Sequence, residues 1–208
     1  MEKLLLFGGT FDPPHNGHMA LLSACLAAVK PDVAVVMPAG TPPHKRQSTT
    51  PGHLRAEMCE CFTQLAPCVQ VSRWEQAQTG KNYTVDTLGM LHARYPSARL
   101  YLCLGSDMLL SFCSWRRWRD ILKLSALVVH SRENGDEPAL AAMAAALKKE
   151  GAEVVFAPGR VLQISSTQVR SQVAQGAPIS HLVPVAVQQV IAREGLYRQS
   201  FQKEETAL

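Results

Sequence analysis

The stretch GGTFDPPHNGH, residues 8 to 18, follows the apolar run LLLF and packs two glycines, an aspartate and two histidines into a turn that leads into a helical pattern. His15 and His18 are three positions apart, so a helix starting near Asn16 brings both to one side of its first turn, with Gly17 leaving room between them. Two imidazoles there can donate hydrogen bonds to a polyphosphate, and they gain strength when charge builds on a phosphoryl group during transfer. Gly8 and Gly9 let backbone N–H groups approach such a phosphate, whose negative charge the helix dipole favours. Neither GxxxxGK[ST] nor GxGxxG is present, which excludes a P-loop and a dinucleotide fingerprint. A helix cap with surface histidines would give the same spacing, and a metal pair is a second rival, although two histidines are too few for a closed zinc site. The combination of strand, paired glycines, aspartate and helix start favours phosphate. Asp12 either shapes its Asp-Pro turn or orients water around Mg2+.

A second constellation lies far downstream: Ile164, Ser165, Ser166, Thr167 and Arg170. Ser165 to Thr167 can cap a helix, presenting hydroxyls and N–H groups, with Arg170 one turn in. The alternative is a plain serine-capped surface helix.

These residues need a frame. Apolar runs of strand length recur at Lys3 to Phe7, Val33 to Met37, Val69 to Val71, Leu100 to Leu104, Ala126 to His130 and Val154 to Phe156. Continuous apolar runs separated by helical patterns suit strands buried on both faces of a parallel sheet. The expected fold class is α/β, a doubly wound parallel sheet of Rossmann type in a single domain over residues 1–208, with a small helical part at the carboxyl end. Met19, Leu22, Leu26 and Val29 keep helical spacing, with Asn16 as cap and Lys30-Pro31 as the stop. Arg55 to Leu65, Thr84 to Tyr95 and the alanine-rich PALAAMAAALKKEG read as further helices, the last a solvated scaffold helix. The polar segment 39–52 is the one long loop, and it carries His44 and Lys45.

Composition bounds the function. With 208 residues and 47% hydrophobic content the chain suffices for one α/β domain. A formal charge of +4 suits small anions and is too weak to claim nucleic acid. Six cysteines without a CxxC pair are expected to be reduced, mostly as small buried hydrophobes. The opening MEKLLLFGG falls short of a signal segment or a membrane span, so a cytoplasmic setting without membrane association is expected. A homo-oligomer is compatible with the sequence.

Gly9 to His18, as G-T-F-D-P-x-H-x-G-H, together with ISSTxxR near the carboxyl end, resembles the nucleotidyltransferase superfamily that shares an HxGH motif. TPPHK (Thr41 to Lys45), YTVDTL (Tyr83 to Leu88), GSDMLLSFCSW (105–115) and the closing Gly195-Leu196-Tyr197 are similar to bacterial nicotinate-nucleotide adenylyltransferases, over nearly the whole chain. The resemblance implies transfer of the AMP part of ATP, with Mg2+, to nicotinate mononucleotide. His15, His18, Lys45 and Arg170 would then be catalytic. Gly9, Thr10, Phe11, His15, His18, Gly105, Asp107, Ile164, Ser165, Ser166, Thr167 and Arg170 would bind ATP, Asp107 by accepting from a ribose hydroxyl. Gly8, Gly9, Thr10, His44, Lys45, Tyr83, Thr84 and Trp115 would bind the mononucleotide. In that arrangement Trp115 stacks on the pyridinium ring, and amides near Tyr83 and Thr84 bond its carboxylate.

One departure stands out. Arg116 occupies a position where family members often carry an aromatic residue. The same run, SWRRWRD, interleaves Trp and Arg as single-stranded nucleic-acid binders do, but an amphipathic helix with Trp118 and Ile121 inward explains it better. Other acceptors (nicotinamide mononucleotide, phosphopantetheine or, with CTP, a glycerol phosphate) and a nucleotide-binding regulator without turnover remain the alternatives.

Overall fold

The computed structural model describes residues 1–40, 50–131, 135–159 and 162–198. Among the described residues, six parallel strands form one sheet in the order β3-β2-β1-β4-β5-β6. They are β1 (Lys3–Gly9), β2 (Val33–Pro38), β3 (Val69–Val71), β4 (Arg99–Gly105), β5 (Ser125–His130) and β6 (Val154–Phe156). The helices are α1 (Asn16–Val29), α2 (Gly52–Cys59), α3 (Thr84–Arg94), α4 (Ser106–Leu110), α5 (Trp118–Leu124), α6 (Glu137–Lys149), α7 (Ser166–Ala174) and α8 (Val185–Arg193).

All six expected strands are present, and the reason their sequences run apolar without alternation is visible in the two cores. Leu5 and Phe7 of β1 join Val36, Cys103 and Val128 against α1, α2 and α8. Leu4 and Leu6 join Val35, Leu102 and Val129 against α3, α5 and α6. Successive residues point to opposite faces, and both faces are covered, so the central strand positions run apolar without alternation.

Three helix boundaries differ from expectation. The N-cap of α1 is His15, in extended conformation at φ −146°, instead of Asn16. Asn16 instead donates its backbone N–H to the Leu182 carbonyl at 2.8 Å and its side-chain amide to the His181 carbonyl at 3.1 Å, tying the start of α1 to the chain before α8. Helix α2 begins at Gly52, three residues before the apolar periodicity, because Pro51 at its N-cap needs no backbone donor there. Its expected continuation to Leu65 is a 3-10 turn over Glu60–Gln64.

The strand order reverses between β1 and β4, which pair directly through Lys3 to Leu6 and Arg99 to Leu102. A crevice beyond the carboxyl ends of these two strands is where ligands sit in this architecture. β1 ends there at Gly9 and β4 at Gly105. Among the described residues, no helix is long and apolar enough to cross a membrane.

Candidate active site

The turn after β1 is held from several directions. Phe11 takes a left-handed conformation (φ 49°) and buries its ring among Phe7, His18 and Phe62, with centroids 5.1 to 5.4 Å apart. Its side chain is therefore part of the core, leaving only its backbone available to a ligand. A Cβ on Gly9 would lie 2.8 Å from the Phe11 ring, so glycine is required there by packing, whereas Gly8 has open space around its Cα. Of the two glycines, Gly8 is the one that leaves room for a ligand.

The two imidazoles do come together at the first turn of α1. Their ring centroids lie 3.7 Å apart with planes inclined by 29°. The His15 backbone N–H donates to His18 Nδ1 at 3.3 Å, which makes Nδ1 the acceptor and leaves the proton of the neutral ring on Nε2. His15 itself is buried. A Cβ on Gly17 would meet the His15 ring at 3.0 Å and the Leu162 carbonyl at 3.1 Å. Glycine between the histidines thus allows α1 to approach both the ring and the segment leading into α7.

That second segment meets the first through direct bonds. Ser165 caps α7, its hydroxyl accepting from the Gln168 N–H at 3.1 Å. The Ser166 hydroxyl donates to the Pro13 carbonyl at 2.9 Å across 153 positions of sequence. Arg170 donates to the Asp12 carbonyl at 2.7 Å and to Thr167 Oγ1 at 3.3 Å. Ile164 packs against the core on the α1 side. The N-terminus of α7, with its partial positive charge, therefore lies beside the histidine turn. Arg170 spends one N–H group on the backbone of that turn, which makes it a brace as well as a cation.

The remaining site residues lie on the other side of the strand reversal. Gly105 closes β4 and caps α4, whose exposed Asp107 sits in the first turn. Tyr83 is the N-cap of α3 and Thr84 its first residue. Trp115 is half-buried, its ring 5.4 Å from Phe112. The Arg116 guanidinium stacks over the Tyr83 ring at 4.6 Å, linking the start of α3 to the segment that carries Trp115. His44 and Lys45 lie outside the described residues.

The other arginines of SWRRWRD are occupied within the protein. Arg117 pairs with Asp120 at 2.9 Å, and Arg119 pairs with Glu150 at 3.0 Å while lying over the Trp118 ring at 4.2 Å. Ile121 is buried, as the amphipathic reading expects.

Sequence reasoning missed several supporting residues. Arg55 is 4% exposed and donates to the Thr10 carbonyl at 2.8 Å. Burial lowers its pKa, and the nearby Asp12 charge opposes this. Glu75 is also buried, accepting from the Thr87 hydroxyl at 2.6 Å; burial raises its pKa, while the bonds from Thr87 and the Gly40 N–H lower it. Arg55 lies between the apolar Leu54 and Ala56 on an amphipathic helix, which was the available but weak signal for a compensated buried charge.

The parallel sheet with its reversed strand order and the joined histidine and serine motifs define a nucleotidyltransferase, and residues 6–172 match the cytidylyltransferase-like family. The chain is 35% identical over 198 residues to a protein of Shouchella clausii described as "Probable nicotinate-nucleotide adenylyltransferase", covering 95% of this chain and 97% of that one. A protein of Roseiflexus sp. with the same description is 39% identical over 197 residues, covering 93% and 96%. Within the cytidylyltransferase-like class, the chain belongs to the nicotinate-nucleotide adenylyltransferase family. A solved nicotinic acid mononucleotide adenylyltransferase of Plasmodium falciparum has the same fold, with a TM-score of 0.77 at 18% identity over 95% of this chain and 98% of that chain.

Proposed function

We propose that this enzyme transfers the adenylyl group of ATP to the 5'-phosphate of nicotinate mononucleotide, forming deamido-NAD and releasing pyrophosphate. The observation that supports this reading is the bonding of Ser166 to Pro13 and of Arg170 to Asp12, which brings the histidine and serine motifs together. The relatives' described activity supports the choice of acceptor.

In this reading the mononucleotide's phosphate attacks the α-phosphorus of ATP in line, and the bond from that phosphorus to the bridging oxygen of pyrophosphate breaks. The nucleophile is already an anion at neutral pH, so no strong general base is needed. The obstacle is bringing two anions together and stabilising the charge that develops. His18, with its Nε2 proton, is assigned to the α-phosphate and His15 to the neighbouring phosphates. The α7 N-terminus and Arg170 hold the β and γ phosphates from the other side, and Lys45 adds charge from its loop. Asp107 receives the ribose, while Trp115, Tyr83 and Thr84 receive the pyridine ring and its carboxylate.

Among the described residues there is no group of three His, Cys, Asp or Glu side chains able to hold a metal ion. In this reading Mg2+ arrives on the triphosphate, because Mg2+ at such sites keeps several waters and binds substrate phosphates with few protein ligands. Bound there, it would neutralise part of the phosphate charge.

The test is an assay with ATP, Mg2+ and, in separate reactions, nicotinate mononucleotide, nicotinamide mononucleotide and phosphopantetheine, with products identified by mass. Deamido-NAD and pyrophosphate as the fastest-formed products are expected. Faster turnover of another acceptor would replace the proposed substrate, and ATP binding without any product would point to a regulator.

A further inference from the structure

The histidine turn is also gripped from the far end of the chain. Tyr197 follows α8 in a left-handed conformation (φ 62°), two residues after Gly195 at φ 60°. Its ring packs against the core on the α1 side. Its hydroxyl donates to Asp12 Oδ1 at 2.6 Å, across 185 positions, and accepts from Thr50 Oγ1 at 3.3 Å. Arg55 completes the arrangement by donating from NH1 to the Thr10 carbonyl at 2.8 Å and from Nε to the Thr50 carbonyl at 3.3 Å. Residues 10 to 12 are thus held by Arg55 from α2, Tyr197 from the end of the chain and Arg170 from α7.

The consequence for the turn follows from peptide planarity. In a trans peptide the C=O and the next N–H point in opposite directions. Drawing the Thr10 carbonyl toward Arg55 therefore aims the Phe11 N–H away from that buried guanidinium. Fixing the Asp12 carboxylate sets the approach to Pro13, Pro14 and His15. We propose that Tyr197 and Arg55 are positioning residues for nucleotidyl transfer, clamping the 10–12 turn through the Asp12 carboxylate and the Thr10 carbonyl so that His15 and His18 meet the phosphates. This rests on the assignment of that turn as the triphosphate site. Burial and the bond to Asp12 push the Tyr197 hydroxyl well above its ordinary pKa, so it stays a donor across the working pH range.

A clamp differs from a plain stabilising contact in where its loss is felt. Removing the phenolic oxygen leaves Arg170 on the Asp12 carbonyl and Arg55 on Thr10, so the turn shifts without unfolding. The cost then falls on kcat, since the histidines act on charge that appears during transfer.

The experiment compares full-length wild type, Tyr197→Phe, Asp12→Ala and the double variant, after the wild-type acceptor has been identified so that a wrong acceptor is recognised before any variant is read. Steady-state constants for ATP and that acceptor are measured with Mg2+, alongside thermal midpoints. Tyr197→Phe is expected to lower kcat about 10-fold with the KM for ATP changed less than about two-fold, and to have no further effect in the Asp12→Ala background. An unchanged kcat in Tyr197→Phe, or a full-sized loss in the Asp12→Ala background, overturns the proposal. Should Asp12→Ala fail to fold, the kcat of Tyr197→Phe alone decides. His18→Ala run in parallel separates the two levels: full activity there removes the site assignment, whereas an inactive His18→Ala beside a wild-type-like Tyr197→Phe removes only the clamp.

Discussion

The region proposed to hold the phosphates and the one around Trp115 proposed to hold the acceptor are braced by contacts of different reach. On the phosphate side, Ser166, Arg170, Tyr197 and Arg55 bond the residue 10–13 turn from 45 to 185 positions away. On the acceptor side the bonds around Trp115 are short-range, such as its own N–H to the Phe112 carbonyl at 3.0 Å and Ser114 Oγ to the Ser111 carbonyl at 2.7 Å. Contact between the two acceptor-side segments includes the stacking of Arg116 on Tyr83. Stabilising a transition state requires groups fixed before the reaction, which long-range bracing provides. Accommodating one acceptor over another needs only a few side chains on short segments, and those can change without disturbing the braced turn. In the proposed reading, the acceptor-binding segments can carry a residue such as Arg116 without disturbing the braced turn.

Substitutions on the two sides should therefore fail differently. The largest effect is expected for His18→Ala, with kcat lowered roughly 100-fold or more and the circular-dichroism spectrum unchanged; unaltered turnover in a steady-state assay would remove the electrostatic role given to this ring. Trp115→Ala should raise the KM for nicotinate mononucleotide about 10-fold while kcat falls far less, because stacking acts on the bound ring before and during transfer alike. A loss confined to kcat would place Trp115 with the phosphate machinery and erase the contrast between the two sides. Arg116→Ala is expected to raise that KM about 3-fold and to leave the KM for nicotinamide mononucleotide nearly unchanged, because its guanidinium stacks on Tyr83, at the segment proposed to bind the nicotinate carboxylate, and an exposed cation acts there only weakly. Equal changes for both acceptors would show that Arg116 only packs on Tyr83.

The smallest effect concerns Glu75, buried beneath the acceptor side. Its folded pKa is raised above the ordinary 4.5, chiefly by burial. The native state therefore holds this proton more tightly than the unfolded chain. The resulting stability is fully present below 4.5 and is lost as the pH rises through the folded value. Thermal melts of wild type and Glu75→Gln across that window should show a wild-type midpoint that declines with rising pH relative to the variant. Parallel curves would mean that Glu75 does not titrate differently in the two states.

Much of the frame was legible because burial on both faces writes strands as unbroken apolar runs, and all six could be placed from them. The five-residue α4 left no periodic signal to place it by, and the seven-residue α5 showed only as the amphipathic pattern of SWRRWRD. The α1 cap was misplaced by one residue because asparagine is the better isolated cap, whereas here Asn16 is drawn off by the carbonyls of His181 and Leu182. The histidine pair pointed to phosphate only in its setting of strand, paired glycines, aspartate and helix start, since its spacing alone fits a plain cap. The bracing of its turn was not legible, because Arg55 and Tyr197 gain their roles from partners that only the folded topology brings near.

The account's central claim is that one triphosphate lies between the α1 histidines and the α7 N-terminus. A crystal structure of the enzyme with a non-hydrolysable ATP analogue tests it most directly. The expected result has the α-phosphate within hydrogen-bond distance of His18 Nε2 and the terminal phosphates against Ser165 to Arg170. A triphosphate bound elsewhere, with both motifs untouched, would contradict it.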